Sequence, residues 1–325
     1  MKPQTMSLAY PIDLVYLWVD GSDPQWVMRK NQYLIQEGAT EQALATPERW
    51  QDNNELLYSL RSVDKFVPWI NHIYIVTDNQ CPPWLNRHHP KITIVDHKDF
   101  IPPEFLPLFS SSSIESFLPY IPNLSEHFLF ANDDMFFGRN VKPSHFFDCH
   151  GNPIVIVKPL YDKPVVQNEE LCAKLLCDKG NASRVRSNIL IYKKYHRPLN
   201  LQAGHVIDPC RKSYMLEALN DPDFAEAIET TRRLRFRSPM SIQRILFPLN
   251  DFCKGRTTLK DVRHLRELKR LFVPYKMPLF LSKESDLSKA LKIRPELFCY
   301  FPGDYNDSLQ LFFQKYFPEK SSFEV

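Results

Sequence analysis

A chain of 325 residues holds one large domain or two ordinary ones, and a make-up of 43% hydrophobic and 24% charged residues is enough to bury a sizeable core. A net charge of +3 gives no global argument for nucleic acid, and no apolar stretch approaches the ~20 residues of a membrane span. Met1 to Tyr10 lacks the basic segment and apolar core of a secretory signal, and the seven cysteines are odd in number and scattered. That usage predicts free thiols in a reducing compartment, not a disulfide framework or a zinc site, and hence a cytoplasmic protein.

In chain order, Ile12 to Val19 reads as a buried strand running into the turn cluster Asp20-Gly21-Ser22-Asp23-Pro24. Leu56, Leu57, Leu60, Val63 and Phe66 have helical spacing within Trp50 to Phe66. Ile73 to Val76 is a second strand, ending at Thr77-Asp78, and Ile92 to Val95 a third, ending at Asp96. Ser110 to Ser113 reads as a helix start before Ile114, Phe117 and Leu118; a helix cap and an exposed acid account for Ser111 and Glu115 nearly as well as a functional role does. His127 to Ala131 is a fourth strand, leading into Asn132-Asp133-Asp134-Met135-Phe136-Phe137. Ile154 to Val157 and Asn188 to Tyr192 are candidates for further strands.

After about Arg211 the pattern turns mainly helical, with Leu259, Val262, Leu265, Leu268 and Leu271 on one face of a basic helix over Thr258 to Phe272. That helix is read as a solvated surface, with contact to an anionic acceptor or a membrane surface as the sharper alternative. No repeat or linker divides the chain. The expectation is an α/β core over 1–210 and a mainly helical part over 211–325 completing one catalytic unit.

Strands alternating with helices imply a mainly parallel sheet, whose ligands bind beyond the carboxyl ends of the strands. Asp20, Asp23, Asp78, Asp96, Asp133 and Asp134 all fall at predicted strand exits. Asp133 and Asp134 repel one another, so a cation is their natural partner, and oxygen ligands suit Mg²⁺ or Mn²⁺ together with a substrate phosphate. A plain strand-end turn also accounts for Asn and Asp there. The 8 glycines include no Gly-x-Gly-x-x-Gly and no phosphate-binding loop, so bound phosphates would be held by metal, by Arg and Lys, or by helix N-termini.

Several segments together resemble the Stealth family of hexose-1-phosphate transferases. The first is Ile12 to Pro24. The second runs from Asn54-Glu55-Leu56 through Arg61 and Thr77-Asp78 to Asn132-Asp133-Asp134 and Gly138. The third covers Gly204-His205-Val206-Ile207-Asp208-Pro209 and Arg235-Phe236-Arg237-Ser238. The fourth is Phe317 to Glu324. The family often carries Asn where Asp20 stands, and Cys299 to Asp304, with Asp307 nearby, replaces its usual Cys-Ile-Asn-Asp.

The resemblance implies a Rossmann-like, glycosyltransferase-A-type sheet. It also implies transfer of sugar-1-phosphate from a nucleotide-diphosphate sugar to a saccharide hydroxyl, joining capsular or surface polysaccharide by phosphodiester links. It assigns Asp133 and Asp134 to a divalent metal, His205 to the general base, and Arg235 and Arg237 to phosphate stabilisation. Asp20, Gly21, Asp23, Arg61, Asp78 and Asn132 are the expected donor-binding residues. The expected partners are a nucleotide sugar, an oligosaccharide or polysaccharide and, peripherally, membrane-bound assembly machinery, with no nucleic acid. His88, His89, His145 and His196 are read as structural or surface residues. The lysosomal-enzyme relative in that family is expected to carry an N-terminal anchor and inserted domains that this chain lacks. The rival readings are a metal-dependent glycosyltransferase that releases nucleoside diphosphate and a non-catalytic sugar-binding module.

Overall fold

The computed structural model describes residues 10–38, 52–178, 180–262, 278–300 and 306–325. Its main sheet has five strands in the order β3-β2-β1-β4-β8: β1 is Ile12–Leu17, β2 Ile73–Thr77, β3 Ile92–Asp96, β4 His127–Asn132 and β8 Asp208–Arg211. The first four run parallel, and β8 lies antiparallel beside β4. The architecture is α/β, as the alternation of patterns predicts.

The inner strands are apolar throughout because both faces are covered. Val15, Phe128 and Phe130 point into one core, while Leu14, Tyr16, Leu129 and Ala131 point into the other. Register pairs Leu17 with Asn132, Leu17 with Val76, and Thr77 with Asp96. The strand exits therefore end level with one another. This is the physical reason that the acids following β1, β2, β3 and β4 share one edge of the sheet.

Two smaller sheets complete the frame. β5 (Met135–Phe137) turns out of the main sheet and pairs antiparallel with β11 (Leu297–Tyr300), which runs parallel to β10 (Leu279–Leu281). β6 (Ile154–Pro159) pairs with β7 (Leu201–Ala203) and β9 (Thr258–Asp261). A third core of aromatic residues lies behind β5: Phe136 stacks on Phe298 at 4.9 Å and meets Phe313 at the same distance.

The helix Glu55–Phe66 packs tightly on β5 because small residues face it. Ser59 Oγ donates to the Met135 carbonyl at 2.5 Å, and the Phe137 amide donates to Ser62 Oγ at 3.1 Å. The strand that follows the Asp133-Asp134 turn is thereby pinned.

Two expectations are corrected. Asn188 to Tyr192 lies inside the helix Ala182–Tyr195, whose buried face is Val185, Asn188 and Ile191. Its β-branched look is overridden by that spacing and by Asn188, whose amide donates to the Arg184 and Leu201 carbonyls. Thr258–Asp261 is a strand, its side chains alternating between exposed and half-buried beside β6, and not the start of a helix. Residues 263–272 of that expected helix lie outside the described residues, as does Asp304.

Candidate active site

Asp133 and Asp134 form the turn between β4 and β5, and the Asp134 amide donates to Asp133 Oδ1 at 3.1 Å. Asp134 Oδ1 is buried without a hydrogen-bond partner. Asp133 keeps some surface exposure, yet burial pushes its pKa well above the ordinary value, and Asp134, Glu55 and Asp52 add to the rise. Glu55 is buried too, with its carboxylate accepting from the Asn53 amide and side chain. Burial, reinforced by Asp52, moves its pKa to about 7. Asp52 accepts from Trp18 Nε1 at 3.2 Å and is also raised, by burial first and by Asp20 among its neighbours. The carboxyl edge of the sheet thus holds a crowded set of acids.

Because the folded-state pKa of Glu55 is raised, its contribution to stability is complete below its ordinary value of 4.5 and is lost as pH rises through about 7. In EDTA, urea denaturation is expected to show less stability at pH 8 than at pH 5. Glu55→Gln should flatten that slope by up to about 3 kcal/mol. An unchanged slope in the variant would contradict this assignment.

His205 sits on the segment between β7 and β8, and its Nε2 lies 3.4 Å from Asp134 Oδ2. Its backbone is left-handed (φ 53), a region non-glycine residues rarely occupy. The preceding Gly204 cannot be larger: a Cβ there would meet Ile156 Cγ2 at 2.8 Å and its carbonyl oxygen at 2.9 Å. Two residues far apart in sequence, Asp134 and His205, are therefore brought together as the resemblance implies. Beside them Arg244 Nη1 donates to Asp208 Oδ2 at 2.6 Å and Nε donates to Glu115 Oε2 at 3.2 Å.

The other expected residues divide. Asp20, Gly21 and Asp23 occupy the turn after β1, where Gln80 donates to both the Asp20 carbonyl and Asp23 Oδ2. Asp23 also caps the helix Pro24–Gln36, accepting from the Gln25 amide. Asp78 pairs with Arg29. Asn132 closes β4 at the acidic edge. Arg61 is placed elsewhere: its Nε and Nη2 grip Glu324 at 2.8 and 2.7 Å, and Nη1 donates to the Phe317 carbonyl. Arg235 donates to the Leu106 carbonyl and lies over Tyr33, while Arg237 is exposed. Asp307 is exposed at the start of the helix Asn306–Tyr316.

Sequence reasoning did not single out Asp52, Glu55 and Arg244 for the site, and of its two readings of Glu115 the exposed acid is the one that fails, since the side chain is only 13% exposed. It also missed a basic group. Burial and Arg237 lower the pKa of Arg184, and burial and Arg184 lower that of Lys158 on β6. Their like charges disfavour one another, so the three form a basic cluster. The isolated Lys-Pro of β6 gave no local signal of this.

For a divalent ion, the chemistry of the turn fits. Asp134 offers an orphaned buried oxygen and Asp133 a carboxylate crowded by other acids. Among the described residues no three His, Cys, Asp or Glu side chains close into a ready metal cage. Two protein carboxylates with the remaining positions left to substrate oxygens and water is the usual manner of holding Mg²⁺. The seven cysteines are all free thiols.

The chain is similar to known proteins. Residues 10–38 match the model of Stealth protein conserved region 1, and residues 49–155 that of conserved region 2. The exopolysaccharide phosphotransferase of Streptomyces coelicolor is 34% identical over 97% of this chain and 52% of its own length, so the chain spans about half of that relative. The capsular polysaccharide phosphotransferase of Haemophilus influenzae is 34% identical over 80% of this chain and 70% of its own. That of Actinobacillus pleuropneumoniae is 33% identical over 92% and 78%. Among solved structures, the galactosyltransferase LgtC aligns with a TM-score of 0.45 and 10% identity, over 96% of this chain and 97% of its own, a distant likeness. The two conserved-region matches and relatives aligned over most of both chains establish that the chain belongs to the Stealth family, together with the capsular polysaccharide phosphotransferases.

Proposed function

We propose that this chain transfers sugar-1-phosphate from a nucleotide-diphosphate sugar, UDP-N-acetylglucosamine among the candidates, to a hydroxyl of a saccharide acceptor in capsular or surface polysaccharide. The observation that carries the proposal is the 3.4 Å approach of His205 Nε2 to Asp134 Oδ2 at the carboxyl edge of the sheet, in a chain whose relatives are named phosphotransferases.

The acceptor oxygen attacks the phosphorus that bears the sugar. The new P–O bond replaces the one to the nucleoside monophosphate, which leaves with its bridging oxygen. His205 takes the hydroxyl proton as the general base. Asp133 and Asp134 would hold Mg²⁺ or Mn²⁺, which when bound supplies positive charge to the donor phosphates. Arg237, with Arg184 and Lys158, faces the anionic donor from the basic side. Asp20, Gly21, Asp23, Asp78 and Asn132 line the nucleotide end. Arg235 braces the segment that carries Arg237.

Peripheral contact with membrane-bound assembly machinery belongs to the same proposal. It is supported by the chemistry of the product. Among the described residues no helix is long and apolar enough to cross a membrane.

EDTA treatment is expected to remove transfer, and Mg²⁺ or Mn²⁺ to restore it. The Mn²⁺ signal in electron paramagnetic resonance should broaden on binding to the parent chain and not to Asp134→Asn. Full transfer in excess chelator would contradict the metal assignment.

A further inference from the structure

Arg244 is the cation at the meeting point of three segments: the helix Ser111–Glu115, strand β8, and the approach to the helix Leu246–Cys253. Its side chain is 12% exposed and its guanidinium lies 4.2 Å over the ring of Phe130. Glu115 and Asp208, its two partners, are separated from it by 129 and 36 residues. Burial works against its charge, but the two carboxylates hold its pKa above the ordinary value.

A buried network of one cation and two carboxylates is not explained by stability. Desolvating three charges is costly, and an apolar cluster of equal volume is often as stable or more so. What such a network does supply is a fixed geometry. The geometry it fixes here is that of the segment 204–208.

That segment carries His205 and is held at both ends. On one side the Gly204 amide donates to the Ile156 carbonyl at 2.9 Å, with no room for a Cβ. On the other side Asp208 stands opposite Phe130 in the β4–β8 register and is gripped by Arg244. Between these anchors His205 adopts its left-handed backbone and directs Nε2 towards Asp134. A left-handed non-glycine residue persists only where its surroundings over-determine it. Glu115 gives Arg244 its second anchor, and Ser113 on the same short helix donates to the Thr231 and Leu234 carbonyls. The guanidinium is therefore braced against a helix that is remote in sequence from the turn and tied to other segments.

We propose that Arg244 is a positioning residue for His205: by clamping Asp208 against Glu115 it fixes the turn that aims the imidazole at Asp134. The kinetic arm of its test rests on the sugar-1-phosphate reading, and the spectroscopic arm does not.

The experiment uses Arg244→Gln, Arg244→Lys, His205→Ala and the double variant Arg244→Gln/His205→Ala in the full chain, each checked by thermal melting. Misplacing a reacting group by about 1 Å costs up to ~100-fold, so Arg244→Gln is expected to lower kcat by about 10- to 100-fold. The donor KM should stay within about twofold, and Arg244→Lys should recover part of the rate. In the His205→Ala background the same change should cost less than about twofold, because its target is already gone. A loss that multiplies equally in both backgrounds, or an unchanged kcat, would overturn the proposal.

Histidine-selective NMR on the same proteins at fixed pH, with His205 assigned from His205→Ala, reads the geometry without any turnover. Displacement of the His205 resonance in a folded Arg244 variant, with most of the other histidines of the ten in the chain unmoved, supports the proposal even if no sugar phosphate is transferred. An unmoved His205 resonance overturns it. If Arg244→Gln does not fold, Arg244→Lys carries both arms.

Discussion

Asp134→Asn is expected to lower transfer by about 10³-fold or more while leaving the fold intact, the scale of loss when electrostatic stabilisation of the reacting phosphate is removed. The two halves of the expectation have one cause. Asp134 presents a buried oxygen with no protein partner, and its charge helps raise the pKa of Asp133. A carboxylate held at such cost is not a stabilising element. Converting it to an amide of the same shape relieves repulsion, so melting should be unchanged or slightly higher in the absence of metal. Steady-state kinetics with circular dichroism melting checks both halves. A variant that keeps more than a tenth of the parent rate would remove Asp134 from the chemistry. A collapsed melting temperature would make it a structural residue.

Arg61→Ala is expected to have the largest effect on stability, about 3–5 kcal/mol, the usual cost of removing one partner from a buried ion pair. Arg61 is 13% exposed at its side chain and Glu324 4%. The guanidinium fork meets both carboxylate oxygens and a backbone carbonyl. Around it the last residues are laced to the core: the Ser322 amide donates to Asp64, the Asn86 amide to the Phe323 carbonyl and the Val325 amide to the Trp84 carbonyl. Urea denaturation of Arg61→Ala and Glu324→Gln, singly and together, measures the coupling. A loss under 1 kcal/mol, with kcat/KM for the donor falling steeply, would return Arg61 to the phosphate-binding role that the resemblance gave it.

Much of the sheet is legible in the sequence because its strands are short apolar runs ending in acids. Once strands alternate with helices, parallel pairing follows, and the acids then share one edge. Asp133 and Asp134 stand out locally for the same reason, as an adjacent pair of like charges at a strand exit. His205 does not stand out by any local rule. It was found through the motif around it, and its approach to Asp134 depends on Gly204, on β8 and on the register of β4.

Most of what could not be read depends on pairings across long sequence separations. Nothing near Glu115 signals Arg244, and nothing near Arg61 signals Glu324. The burial that brings Glu55 to a pKa of about 7 comes from packing, whereas its sequence context is only a helix start. The misread Thr258 segment shows the limit of periodicity. Leu259 and Val262 satisfy a helical spacing, and Thr258-Leu259-Lys260-Asp261 equally satisfies the alternation of a strand. The backbone of β6 alongside decides between them.

The central claim is attack at phosphorus, and the identity of the released nucleotide tests it most directly. The chain would be incubated with Mg²⁺, a panel of nucleotide sugars that includes UDP-N-acetylglucosamine, and short capsular oligosaccharides, and the products separated. The account predicts nucleoside monophosphate, formed only when acceptor is present and lost in Asp134→Asn. Nucleoside diphosphate would contradict it, since that product arises from attack at the sugar carbon and would make the chain a glycosyltransferase.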